Sequence, residues 1–122
     1  MIIVHVLLDE NHEYFGFRVK GHAGYDDFGK DIVCAAVSAV TIGMINATLE
    51  LTDAGVIYEA GESGLLRFKY DGVPGHDAKL LFRSMLLSLK SIEEQYGTTF
   101  LQIRFVQKRG NKDYISIKNQ EV

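Results

Sequence analysis

Apolar residues follow two kinds of pattern along this chain. Ile2 to Leu8 is a nearly continuous apolar run rich in β-branched residues, followed by a polar turn, Asp9-Glu10-Asn11-His12. Tyr14 to Lys20 then alternates, with Phe15, Phe17 and Val19 on one face and Gly16, Arg18 and Lys20 on the other. Two such runs about a short polar turn predict a β-hairpin. The first strand reads as buried on both faces and the second on one.

The period changes after the glycine-bearing stretch Gly21 to Lys30. Asp31 stands where an N-cap stands, and a helix is predicted from Ile32 to about Thr52, ending before Gly55. No charged residue occurs from Ile32 to Leu49, and small residues (Ala35, Ala36, Ser38, Ala39, Gly43, Ala47) recur. A helix apolar all round must be covered all round. One sheet covers one side, so the other side is expected to meet a second copy in a homodimer. Val56 to Ala60 and Leu65 to Tyr70 predict a second hairpin around Gly61-Glu62-Ser63-Gly64. A second helix, His76 to Tyr96, is amphipathic through Leu81, Met85, Leu89, Ile92 and Tyr96, and stops at Gly97. Thr99 to Val106 alternates as a last strand.

The expected order is β-β-α-β-β-α-β. The expected fold class is α+β, a two-layer sandwich with both helices on one face of a mixed, mostly antiparallel sheet. Residues 1–106 form the expected single domain, and 107–122 a polar C-terminal tail in which Tyr114-Ile115-Ser116-Ile117 is a possible strand.

Composition narrows the function classes. The chain has 122 residues and a net charge of −3. An acidic balance argues against a general nucleic-acid binder, so no direct nucleic-acid partner is expected. The single cysteine excludes an internal disulfide. The N-terminus has no basic opening and reaches Asp9 and Glu10 too soon for a signal peptide. No apolar run is read as approaching the ~20 residues of a bilayer span. A cytoplasmic protein with a reduced thiol and no membrane partner is expected.

The chemistry-bearing segment runs from Gly21-His22 to Asp31-Ile32-Val33-Cys34. His22 ends a strand, and Cys34 sits in the first turn of the next helix. Free N–H groups and the positive dipole end of a helix favour a thiolate. A neighbouring imidazole favours it further and can protonate a leaving amine. The same N–H groups can receive an oxyanion. Alone, Cys34 reads as a small buried hydrophobe, and His22 as a strand-end histidine bonded to a carbonyl. His5, His12 and His76 lack metal-ligand spacing to one another or to Cys34, so no metal is expected.

The segment GHAGYDDFGKDIVCAAVS resembles the signature of the Prp family, the ribosomal-processing cysteine proteases. The match holds at Gly21, His22, Ala23, Gly29, Asp31, Ile32, Val33, Cys34, Ala35 and Ser38. The acidic-aromatic close of the second helix, Ser91-Ile92-Glu93-Glu94-Gln95-Tyr96, is also similar to the family. The resemblance covers roughly Met1 to Phe105. It implies a homodimer that needs no cofactor. It also implies removal of an N-terminal extension from the precursor of large-subunit ribosomal protein twenty-seven, with cleavage after an aromatic residue and before a small one. Cys34 is then the nucleophile and His22 the general base and acid.

Other positions keep two readings. Asp31 either orients His22 or caps the helix, and capping is favoured. Ser38, one turn after Cys34, either meets the thiol or substrate or bonds back to the helix backbone. Gly24 and Gly29 allow hinge torsions, and Tyr25 and Phe28 offer apolar contacts, so the loop is a candidate substrate lid or an ordinary connection. Competing functions are a non-catalytic ribosome-assembly factor and a different enzyme on a similar fold. A redox role lacks a resolving cysteine. A phosphate site lacks an arginine beside the loop, where only Lys30 stands.

Overall fold

The computed structural model describes residues 1–21, 32–62 and 64–109, and the backbone of 113–117. The elements are β1 (Ile2–Leu8), β2 (Tyr14–Lys20), α1 (Ile32–Leu51), β3 (Gly55–Ala60), β4 (Leu66–Asp71), α2 (His76–Tyr96), β5 (Leu101–Arg109) and β6 (Asp113–Ile117). They form one sheet in the order β3-β4-β2-β1-β5-β6. Every pairing is antiparallel except β1 with β5. Each helix therefore bridges two parallel strands, α1 from β2 to β3 and α2 from β4 to β5. The expected α+β class and element order hold through β5.

Central strand β1 explains why the helices share one side. Ile2, Val4, Val6 and Leu8 are almost wholly buried and belong to the core, while Ile3 and His5 are half-buried on the opposite face. Its neighbours add Phe17, Val19, Leu66, Phe68, Leu101 and Phe105 to the core side. Leu7 and Val106 are buried but stand outside that cluster, on the open face. β1 is thus less completely buried than its apolar run suggests.

Phe82 fastens α2 to the sheet. It is 1% exposed, and its ring lies 5.3 Å from Tyr14, 6.0 Å from Phe17, 6.2 Å from Phe68 and 6.0 Å from Tyr70. Such pairs add to plain area burial. The Tyr70 hydroxyl donates to the Ala78 carbonyl at 3.2 Å, and burial pushes its phenol pKa upward. At the other end of α2, Glu93 Oε2 accepts from the Ile103 N–H at 2.8 Å, tying the last turn to β5. Gly97, at φ 96°, ends the helix by donating to the Glu93 carbonyl at 2.8 Å.

Two details differ from the sequence reading. A register shift between Leu7 and Leu8 pairs Leu8 with Tyr14 and Leu7 with Gly16, leaving Phe15 as the extra residue of a bulge. Tyr14 stacks under α2, and Phe15 lines a depression on the open face with Leu7, Arg18 and Lys108. Phe15 therefore does not share the face of Phe17 and Val19. The second difference is at the C-terminus, where a polar tail was expected after Val106. β5 runs on to Arg109, and β6, at the possible strand Tyr114-Ile115-Ser116-Ile117, pairs with it. Gln107 is 6% exposed, and its amide donates to the Asp9 and Glu10 carbonyls at 3.3 and 3.5 Å. These bonds offset the cost of burying a polar side chain.

α1 presents Val33, Val37, Thr41, Met44, Ile45 and Thr48 to the core. Thr41 and Thr48 satisfy their hydroxyls on the Val37 and Met44 carbonyls, both at 2.8 Å. Contrary to the sequence expectation, α1 is long and apolar enough by length and composition alone to cross a membrane. Its opposite stripe, including Ala39, Ile42, Gly43 and Leu49, is exposed. Ile42 and Leu49 are 46% and 44% exposed. A β-carbon on Gly43 would meet nothing within 4 Å.

Two stability predictions follow from the sheet. A β-carbon at Gly16 would collide with the Phe68 carbonyl oxygen and crowd Lys69. Gly16→Ala is expected to cost about 1–3 kcal/mol in urea unfolding, the usual range for overpacking; an unchanged midpoint would contradict that packing. Burial, then the charges of Arg18, Lys20 and Arg104, lower the His5 pKa from its ordinary 6.5. Between the two values the unfolded chain takes up the proton and the folded chain does not. Stability is therefore full above pH 6.5 and declines as pH falls through the folded value. His5→Gln should flatten this slope, and an equal slope in both proteins would refute the assignment.

Candidate active site

Cys34 is the third residue of α1, inside the turn whose N–H groups lack intrahelical acceptors. That turn carries no acidic side chain, so nothing within it offsets the positive end of the dipole. Cys34 is half-buried, packs against the core and is not in a disulfide. It lies at the boundary between the buried stripe of α1 and its exposed stripe. Ser38, one turn further, is exposed. Cys34 and Ser38 thus sit one above the other at the start of the helix.

The orientation of the helices fixes where this start lies. The end of α1 (Glu50, Leu51) and the start of α2 (His76, Asp77, Ala78) line one depression of about 510 Å³. The end of α2 lies instead where β1 and β5 begin: Phe100 N–H donates to Gly97, and Ile2 N–H donates to Phe100 at 2.9 Å. The helices touch and run antiparallel, because β2 and β4, which feed them, are antiparallel; α1, with 20 residues, spans about 30 Å. Its first turn therefore stands over the end of the sheet where β1 and β5 start.

β2 finishes at that same end. Ile3 pairs with Lys20, and Gly21 follows with φ +90° against the start of β1. A β-carbon on Gly21 would strike the Met1 carbonyl oxygen. Only glycine meets both demands without strain, positive φ and close backbone approach. The requirement is a local one that the Gly-His pair in the sequence hints at but does not explain. The last described residue before His22 and the helix turn bearing Cys34 thus share one end of the fold.

The expectations for His22, Gly24, Tyr25, Phe28, Gly29 and Asp31 lie outside the described residues. Of the proposed residues, the described part of the fold holds Cys34 and Ser38 and places them together.

Known proteins resemble this chain over most of its length. The family described as cysteine protease Prp matches residues 1–101. The ribosomal processing cysteine protease Prp of Staphylococcus aureus is 33% identical over 99 residues, 80% of this chain and 92% of that protein. The Bacillus subtilis protein of the same name is 35% identical over 85 residues, 66% of this chain and 76% of that protein. The solved S. aureus Prp, in complex with a covalently linked product peptide, superposes with a TM-score of 0.80 at 29% identity, covering 86% of this chain and 99% of that one. With the family model matching residues 1–101 and relatives a third identical over most of its length, this chain belongs to the Prp family of cysteine proteases.

Proposed function

We propose that this protein is a processing endopeptidase that removes the N-terminal extension of a ribosomal protein precursor, large-subunit protein twenty-seven. Cleavage falls after an aromatic residue and before a small one. The observation that carries the reading is the place of Cys34, a half-buried thiol in the first turn of α1, at the end of the sheet where β2 delivers the chain to His22. The covalent product complex of the S. aureus relative supports a nucleophilic route.

In this mechanism His22 takes the Cys34 proton and the thiolate attacks the scissile carbonyl carbon. The first N–H groups of α1 receive the oxyanion. Collapse breaks the C–N bond, and His22 gives its proton to the leaving amine. The extension remains as a thioester on Cys34. A water, deprotonated by His22, attacks the thioester and releases the extension as a carboxylate; the proton returns to the thiolate. Asp31 caps α1, and residues 24–29, with Tyr25 and Phe28, contact the aromatic side of the cleaved bond. The reaction needs no cofactor and belongs in the cytoplasm, where the thiol stays reduced.

The exposed apolar stripe of α1 supports a homodimer. A second α1 packed on Ala39, Ile42, Gly43 and Leu49 removes that apolar surface from water, and small residues let two helices approach closely.

Two experiments test these points. Purified protein incubated with the precursor should remove a short N-terminal peptide, read as intact mass. Cys34→Ala and His22→Ala should each lower the rate about 1,000-fold or more. Cleavage by either variant at the wild-type rate refutes the pair, and an uncut precursor bearing an aromatic-small junction refutes the substrate. For the dimer, Ile42→Glu should shift the protein from twice the chain mass to the chain mass in sedimentation. A monomeric wild type, or an unmoved variant, contradicts the α1 interface.

A further inference from the structure

The face of the sheet turned away from the helices concentrates positive charge in a chain whose net charge is −3. Alternation places Arg18 and Lys20 of β2, Arg67 and Lys69 of β4, and Arg104 and Lys108 of β5 on that face. Register aligns them. Arg18 pairs directly with Arg67 and with His5, and His5 pairs with Arg104. A row of two arginines, a histidine and a third arginine thus crosses four adjacent strands at about 4.8 Å per strand. Glu59, opposite Arg67, is the acid in this row, at the sheet edge.

Like charges directly opposite on paired strands are destabilising, and this sheet keeps them. Among the described residues none of the six cations forms an ion pair; the ion pairs there are His76–Asp77 and Lys79–Glu13. Beside the row lies a depression of about 590 Å³. Phe15, Leu7 and Ile57 line it together with Arg18, Arg67 and Lys108. Phe15 is there because of the bulge.

We propose that this face binds single-stranded RNA, with a base in the depression against Phe15 and phosphates on the arginine row. An aromatic platform ringed by cations suits a strand whose bases and phosphates alternate. An acidic peptide would use the charges but leave Phe15, Leu7 and Ile57 in the depression without a matching group. An added β-strand would need a sheet edge, and this is a face. The proposal reverses the expectation drawn from net charge, because acidic residues gather elsewhere, on the Asp9–Glu13 turn and on Glu50 and Asp53. It does not depend on the protease reading.

The test uses the full chain and a labelled single-stranded oligouridylate of about a dozen nucleotides, followed by fluorescence anisotropy over a salt series. Wild type should bind at about 50 mM salt, with affinity falling log-linearly as salt rises. Arg18→Ala/Arg67→Ala should bind at least about tenfold more weakly and lose about 1.4 from the slope, two phosphates at about 0.7 each. Phe15→Ala should weaken binding and leave the slope unchanged. Circular dichroism confirms that each variant folds, and cleavage of a short peptide by the arginine variant should match wild type. No binding by wild type, or equal binding by the arginine variant, overturns the proposal. Tighter salt-dependent binding of polyglutamate than of the RNA assigns the face to a protein partner. Self-association lost in the arginine variant assigns it to a second copy; either result also overturns the proposal.

Discussion

The arrangement rests on the pairing of β1 with a neighbour on each side. Hydrogen-bonded to β2 in one direction and β5 in the other, β1 cannot slip without turning every side chain to the wrong face. Its buried residues Ile2, Val4, Val6 and Leu8 commit one side of the sheet to the helices. Its other side is then left to His5 and the basic residues of the neighbouring strands. The same register sets where β2 ends, and so where the chain leaves for the helix bearing Cys34.

Site and core are linked through the direction of the helices. Phe82 fixes the start of α2 over β2 and β4, and Glu93 fixes its end to β5. α1 lies against α2 in the opposite sense and brings its first turn to the end of the sheet where Gly21 rests on Met1. The proposed mechanism then draws on a property of every helix start, N–H groups with no acceptor inside the helix itself.

Much of this was legible in the sequence because the signals are local. Alternation, the Asp9 turn, Gly97 and the uncharged stretch from Ile32 placed β1, β2, α1 and α2 closely. The family was legible from the His-Cys segment, and the family match bears that recognition out. What escaped depends on pairing partners. The bulge that separates Tyr14 from Phe15 exists only in the register with β1. Gln107 looks like tail until the Asp9 and Glu10 carbonyls come to meet it. Arg18, Arg67 and Arg104 are scattered along the chain, and only strand order gathers them into a row.

The central claim is that Cys34 attacks the substrate and carries the released extension as an acyl group. Acid quenching during turnover of the precursor, followed by peptide mass mapping, tests it most directly. The account predicts a thioester between the extension and the Cys34 peptide, formed more slowly in His22→Ala. Turnover with no adduct on Cys34 and with the extension attached to another side chain would contradict it.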